Sequence, residues 1–309
     1  MERDRVAAGA SGRNAGFLLA GVASCYAAAV RRYGRERARS IWAFTVETHD
    51  LLAEALRGHE VGYRRGGSEI LPASPEEAED LAASAELLRE DGFEALWDGR
   101  RLLNPRDGEL DPLRAVLALA AEAPAAAIRE GVEVEGLQAA ADGVRVTAGG
   151  AECLAETVVL ATNAYTSLLV PDIRIVPVRA QMLGTAPEGR RLVERPTYCE
   201  RGFRYWRQLP DRRLLAGGFR HRALDEEVGH EAVTTPSIQR LLEGEVARLG
   251  GREPVTHRWA GIMGFTEEEL PLVGPVPGLP GVHLCAGYSG HGMGFAFNST
   301  RQLVDQLLG

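Results

Sequence analysis

Cysteine is scarce in these 309 residues. Cys25, Cys153, Cys199 and Cys285 are scattered, form no C-x-x-C pair and do not cluster with histidine. That excludes a disulfide framework and a zinc site, and the four are expected as small buried apolar residues. Basic charge is outweighed: 35 Lys and Arg stand against 43 Asp and Glu, for a formal net charge of −8. With a pI near 5.5, a sequence-independent grip on nucleic acid, which demands a basic surface, is excluded. No apolar run reaches the roughly 20 residues that span a bilayer. The charged start MERDR leads into no signal-type core, so a soluble cytoplasmic protein is expected. Nor does any unit repeat at a period of about 20 to 50 residues, which excludes a solenoid.

What is present is an ordered globular composition, 45% apolar and 25% charged, long enough for a full core and for two domains. Arg35 to Leu56 carries Ile41, Trp42, Thr45, Leu52 and Leu56 on one stripe and reads as a helix closed by Gly58. Tyr63 to Leu71 (YRRGGSEIL) reads as a hairpin around Gly66-Gly67. Ser74, Pro75 and Glu77 form a capping-box start to a helix with Ala78, Leu81, Ala85 and Leu88 on its apolar side. Asp111-Pro112 opens another. After Gly131 the period changes to two: Val132, Val134 and Gly143 to Ala148 predict a hairpin, and Thr157 to Thr162 (TVVLAT) a buried strand. Strands are further predicted over Ile173 to Thr185, Arg204 to Leu209, Arg213 to Gly218 and Trp259 to Phe265, with a helix from Thr235-Pro236 to Leu249.

The chemistry points to the end of the chain. Val282 to Phe297 (VHLCAGYSGHGMGFAF) is a short apolar run, four glycines in eight residues, then a helical segment. A strand that turns through glycines into a helix offers free N–H groups to negative charge. A phosphate loop would need a Gly-Lys-Ser/Thr ending, which is missing. A hydrolase nucleophile elbow would need glycine where His291 stands and catalytic partners downstream. A dinucleotide fingerprint would need a second strand bearing an acid about 20 residues later. There remain a plain flexible loop and a turn whose positive helix end faces an electron-rich group.

Gly9 to Gly21 (GASGRNAGFLLAG), YRRGGSEI, VVLATNAYTS and LPLVGPVPGLPGVHLCAGYSGHGMG resemble, in this order, the FAD-dependent D-amino acid oxidase superfamily. They are most similar to its glycine oxidase, sarcosine oxidase and γ-glutamylputrescine oxidase branch. The resemblance covers essentially the whole chain. It implies an α/β fold in which a Rossmann-like FAD-binding domain (residues 1–60, 105–170 and 254–309) is interleaved with a mixed-sheet substrate domain (61–104 and 171–253). It also implies the site. Ser11, Arg13, Asn14 and Gly16 would line the flavin and pyrophosphate, Val134 would meet the adenine through its backbone, and Ala161, Thr162 and Asn163 would close the ADP side. Gly287, Gly290, His291, Gly292 and Met293 would lie against the isoalloxazine, where a helix end suits the charge of reduced flavin.

The family begins with a strand, a G-x-G-x-x-G turn and a helix, and holds the adenosine ribose with an acid. Here Glu2 stands for the acid and the glycine turn is missing. The expectation is that the natural chain starts further upstream; a decayed remnant and a strand supplied by another chain are the alternatives. The implied reaction oxidises the C–N bond of an amine or amino acid, with oxygen or another acceptor taking the electrons. The second reading is a non-catalytic or flavin-deficient remnant or subunit. No catalytic dyad is required, and His291 either hydrogen-bonds the flavin or fixes the loop. In the strand from Phe203, Arg204, Trp206 and Gln208 share one face and Phe203, Tyr205 and Arg207 the other. Arg204, Tyr205 and Tyr288 are substrate candidates, against a reading of the arginines as a solvated face on an edge strand.

Overall fold

The computed structural model describes residues 1–124 and 127–309. The chain opens with one helical turn, α1 (Ala10–Arg13), a short strand β1 (Phe17–Leu18), and helices α2 (Tyr26–Tyr33) and α3 (Arg35–Ala55). Then come β2 (Ser68–Leu71), α4 (Pro75–Glu90), β3 (Leu96–Trp97), β4 (Leu102–Asn104), β5 (Gly108–Glu109) and α5 (Pro112–Ala121). A strand-rich stretch follows: β6 (Val134–Ala140), β7 (Gly143–Ala148), β8 (Ala151–Ala155), β9 (Val158–Leu160), the turn-long α6 (Thr166–Leu169), β10 (Val176–Pro187), β11 (Thr197–Cys199), β12 (Arg204–Gln208) and β13 (Arg213–Gly218). The last elements are α7 (Pro236–Arg248), β14 (Val255–Phe265), β15 (Leu272–Pro275), β16 (Val282–Ala286) and α8 (Gly292–Leu308).

Local chemistry accounts for the helix starts. Ser74 Oγ accepts from the Glu77 N–H at 3.3 Å, and Glu77 Oε2 reaches back to the Ala73 N–H at 2.8 Å. Asp111 Oδ1 accepts from the Arg114 N–H at 3.0 Å, with Pro112 at the first helical position. Thr235, read as a cap for α7, is spent elsewhere: it exchanges hydrogen bonds with the buried Gln181 amide at 2.8 and 2.9 Å.

The main sheet has eight strands in the order β14-β10-β13-β12-β11-β2-β4-β3, antiparallel throughout except for the parallel pair β11–β2. Its middle is covered on one side by α7, through Trp206, Leu214 and Ala216 against Ile238, Leu242 and Val246. A second sheet, β15-β16-β9, pairs β16 with β9 in parallel and packs against the β6-β7-β8 meander through Val144, Val146, Leu160 and Leu284. Helices α2, α3 and α4 share a third core around Tyr26 and Trp42. The result is mixed α/β, as the resemblance implies.

Several expectations are corrected. Tyr63–Leu71 is no hairpin: Arg64 bridges Glu109, while Ser68–Leu71 pairs with β4 and β11. The Gly66-Gly67 pair serves to change partners. The strand from Val158 is an edge of its sheet, and only Leu160 in it is buried. Strand β8 lacks an alternating apolar pattern that would mark it in the sequence. Among the cysteines, Cys199 and Cys285 are buried, but Cys25 is half-buried and Cys153 exposed. Strand β12 is central, not an edge, since β11 and β13 flank it.

Candidate functional site

The glycine turn joins β16 to α8. Gly287 (φ 80°), Ser289 (φ 49°) and Gly290 (φ 87°) lie in the left-handed region, which only glycine enters without cost. A Cβ on Gly287 would stand 2.5 Å from Thr266 Cγ2, so neither backbone nor space admits another residue there. Ser289 stitches the turn to β14: its N–H donates to Gly264 O at 2.8 Å, and its Oγ accepts from the Thr266 N–H at 3.3 Å. Asn163 Oδ1 accepts from the Gly287 N–H at 3.0 Å, fastening the turn to the end of β9.

Of the sequence-derived cofactor residues, Asn163 is thereby joined to the turn, and Thr162, next to it, shares a hydroxyl contact of 2.9 Å with Thr166. The Arg3 guanidinium lies 4.8 Å from the Tyr165 ring centre, and Glu2 exchanges backbone hydrogen bonds with Arg129 and Val132, two residues before Val134. The Glu2 carboxylate accepts from the Asp4 N–H at 2.9 Å. Arg13 donates to Ala260 O in β14 at 3.1 Å and receives the Trp259 indole N–H at 2.9 Å. Asn14 folds its amide back onto Ala10 O, Ser11 O and the Gly16 N–H, shaping the 11–16 segment from within.

Two substrate candidates have partners within the fold. Arg204 faces α7, ion-paired with Glu245 at 2.8 Å and Glu200 at 3.6 Å, on the side of the sheet opposite Tyr205. Tyr288 donates its hydroxyl to Cys285 O at 3.2 Å and packs into the helical core. Tyr205 stands on the other face with Arg207. The buried Arg207 guanidinium holds Leu110 O at 2.8 Å and Glu109 at 3.5 Å, tying β12 to β5.

Around Tyr205 the structure adds residues that the sequence did not single out. Tyr198 lies 5.9 Å from Tyr205 and 6.1 Å from His291, and Phe17 lies 5.5 Å from Tyr198, all between ring centres. Gly217 makes room: a Cβ there would fall 2.3 Å from the Tyr205 ring. Arg220, just beyond β13, places its guanidinium carbon 4.5 Å from the Phe203 ring centre and 4.9 Å from that of Phe265. The signal available in sequence was Gly217-Gly218 closing a strand ahead of Phe219-Arg220; nothing comparable marked Tyr198.

Among the described residues, buried side-chain atoms without a hydrogen-bond partner lie on His49, Arg204, Arg207, Arg213, His221 and His291. His291 Nδ1 is buried without a partner. The Tyr198 and Tyr205 hydroxyls, the Arg220 guanidinium, and the amides of Gly290, Gly292 and Met293 find no acceptor or donor among the described residues. The Tyr198 and Tyr205 hydroxyls and the helix-start amides are thus free to meet a ligand. Burial pulls the His291 imidazole down to about 4 and pushes the Tyr205 phenol up to about 12, with Tyr198 raised for the same reason. Asp107 lines a small cavity of about 30 Å³ with Tyr198 and His291. Burial pushes its carboxyl up to about 7, although Ser68 Oγ and the Ala20 N–H are bonded to it at 2.6 and 3.0 Å.

These groups fit one end of FAD. Free amides at the start of a 17-residue helix suit the electron-rich edge of an isoalloxazine. No G-x-G-x-x-G turn for the pyrophosphate stands among the described residues.

A family model described as FAD dependent oxidoreductase (DAO) matches residues 1–306. The chain is 23% identical over 346 residues to a probable oxidoreductase OrdL of Haemophilus influenzae, covering 100% of this chain and 77% of that protein. It is 25% identical over 345 residues to the γ-glutamylputrescine oxidoreductase of Escherichia coli, with the same coverage. The solved glycine oxidase of Geobacillus kaustophilus superposes with a TM-score of 0.78 at 21% identity, over 99% of this chain and 87% of that one. With the family match running almost end to end over a site of this shape, the chain belongs to the FAD-dependent oxidoreductases of the DAO family, and FAD is its cofactor.

Proposed function

We propose that this oxidoreductase oxidises the C–N bond of an amine or amino acid. The observation that carries the reading is the set of unpaired polar groups beside the glycine turn: Tyr198, Tyr205, Arg220 and His291, walled by Phe17, Phe203 and Phe265. The relatives add weight, since one is a γ-glutamylputrescine oxidoreductase.

In this reading residues 1–60, 105–170 and 254–309 hold the cofactor, through Glu2, Ser11, Arg13, Asn14, Gly16, Val134, Ala161 to Asn163 and the turn Gly287 to Met293. Residues 61–104 and 171–253 hold the substrate. Bound FAD supplies the hydride acceptor, and oxygen or another acceptor takes the two electrons onward. The substrate loses hydride from the carbon beside nitrogen and a proton from nitrogen, and becomes an imine that water hydrolyses. The protein's part is alignment in a nearly dry space. His291, uncharged above about pH 4, serves as a neutral hydrogen-bonding group and not as the base. The Tyr205 and Tyr198 hydroxyls keep their protons at neutral pH and orient the amine.

The test is to add FAD to the purified chain, record absorption between about 350 and 500 nm, and follow bleaching without oxygen across a panel of amines and amino acids. Bleaching by a member of the panel, with peroxide or dye reduction on reoxidation, supports the reading. A flavin-loaded protein that no amine bleaches refutes it. A chain that takes up no FAD favours the remnant or subunit.

A further inference from the structure

A cavity of about 210 Å³ lies on the α7 side of the main sheet, with Trp206 in its lining. Strand register sets Glu69, Thr197 and Trp206 side by side across β2, β11 and β12. Tyr205 and Arg207 belong to the opposite face, so the sheet itself separates this cavity from the glycine turn. A space of this size takes a molecule of about ten non-hydrogen atoms at the packing density of a protein interior. One wall is fixed in advance. Gln208, 1% exposed, accepts from the Leu192 and Val193 amides at 2.6 and 3.2 Å and donates to Arg190 O and Arg212 O at 3.0 and 2.8 Å. The loop that closes the cavity is thereby held by the strand beneath it, as befits a preformed pocket.

Four charged residues line this space, Glu69, Glu194, Arg101 and Arg248, and their formal charges cancel. Each keeps unused hydrogen-bonding capacity among the described residues. Arg101 donates Nε to Asp98 at 3.0 Å and Nη1 to Glu69 at 2.7 Å, which leaves Nη2. Arg248 gives Nε and Nη2 to Glu245, which leaves Nη1, and its guanidinium carbon lies 5.0 Å from the Trp206 ring centre. Glu69 accepts from Arg101 and Arg195 through Oε1 alone, at 2.7 and 3.3 Å, so Oε2 has no partner. Of Glu194 only the carbonyl is engaged, by Arg64. A ligand of one charge would meet repulsion here as well as attraction; one that carries both signs meets a complement to each.

We infer that this cavity is a second, non-catalytic binding site for a small zwitterion with an apolar body, an α-amino acid of about the size of leucine. Its carboxylate takes the unused guanidinium N–H groups of Arg101 and Arg248, and its ammonium takes Glu69 Oε2. Its side chain covers Leu71, Leu192 and Leu249, and the apolar area so removed from water adds to the affinity. No group of the glycine turn takes part, so the site stands whether or not the protein oxidises amines.

The test is calorimetry on the full chain with FAD added, using α-methylleucine as the probe. This compound keeps both charges and the aliphatic body but has no hydrogen on its α-carbon, so it cannot be oxidised there. It is compared with 4-methylpentanoate, which lacks the ammonium, with 3-methylbutylamine, which lacks the carboxylate, and with 2-aminoisobutyrate, which lacks the body. Loss of either charge predicts a Kd raised roughly 10- to 100-fold, and loss of the body a similar rise. Two variants locate the site: Arg248→Met, which keeps an unbranched stem over Trp206, and Leu192→Trp, which fills the cavity. Each should weaken α-methylleucine roughly 10-fold or more while leaving far-ultraviolet circular dichroism, flavin uptake and any bleaching of the flavin by amines unchanged. No saturable binding to wild type overturns the inference, as does equal affinity in wild type and both variants, which would put the ligand at the flavin, or equal affinity for the singly charged analogues. Should one variant fail to fold, the other decides together with the ligand series. If the chain takes up no FAD or oxidises no amine, the proposed function fails and this binding, which needs neither, is still read.

Discussion

At the scale of single residues, the titratable groups near the turn set opposing pH responses. Asp107 is 2% exposed and its carboxyl is pushed up to about 7 from an ordinary value near 4. The folded protein therefore binds its proton more tightly than the unfolded chain. The stability it contributes is fully present below about pH 4 and is lost as pH rises through 7. His49, buried with both ring nitrogens unpaired, and His291 are each pulled down to about 4 from 6.5. Their contribution is present above pH 6.5 and is lost as pH falls through 4. Asp107→Asn removes only the first effect, so melting temperatures at pH 5 and pH 7 should move so that pH 7 gains relative to pH 5, compared with wild type. An unchanged difference between the two would mean that Asp107 is ionised in the fold.

His291 bears on activity in a way that can be checked separately. Being uncharged over the working range, it predicts a pH profile of turnover in which His291→Asn lowers the height without moving any limb between pH 5 and 8. Loss of a limb near 6.5 in the variant would show instead that the imidazole titrates during the reaction.

At the scale of elements, the turn between β16 and α8 depends on Gly287. Gly287→Ala meets both a positive φ and a methyl group 2.5 Å away, and should cost about 1–3 kcal/mol in urea unfolding while abolishing flavin uptake. The caps of α4 and α5 are simpler. Ser74→Ala and Asp111→Ala should each cost about 1 kcal/mol and leave flavin uptake intact. These caps, the α3 stripe and the strand-turn-helix at the end of the chain were legible in sequence because their determinants are local: a side chain three residues from its partner, or a period of 3.6. The hairpin reading of Tyr63–Leu71 failed for the opposite reason. Its pairing is decided by Thr197–Cys199, more than a hundred residues away, and two adjacent glycines do not say which strand lies across from them. The partners of Arg204 were hidden in the same way. Alternation along β12 gave the two faces correctly, but only the position of α7 says which one looks toward the cofactor turn. Arg220 and Tyr198 stayed hidden because each gains its meaning from a partner it lacks.

At the scale of the whole molecule, the parallel pair β16–β9 ends at an open edge. Strand β9 has one neighbour among the described residues, and Val159 on it is 42% exposed. An apolar edge strand is a template for pairing with other chains. Val159→Lys should reduce concentration-dependent self-association in light scattering without altering the far-ultraviolet circular dichroism. If the wild type stays monomeric at high concentration, the edge is not a point of association.

The packing of α8 on α3 has a consequence for how the protein is made. Phe44 stacks on Phe295 with ring centres 6.0 Å apart, and Asn298 bonds Glu47 at 3.0 Å across 251 residues of chain. During synthesis α3 therefore leaves the ribosome long before the helix that covers it. While α2 and α4 cover its Ile41–Trp42 side early, the face around Phe44 waits exposed through most of translation, which makes it the natural place for a chaperone to hold and the step at which a slowed or truncated message would yield aggregate in place of enzyme.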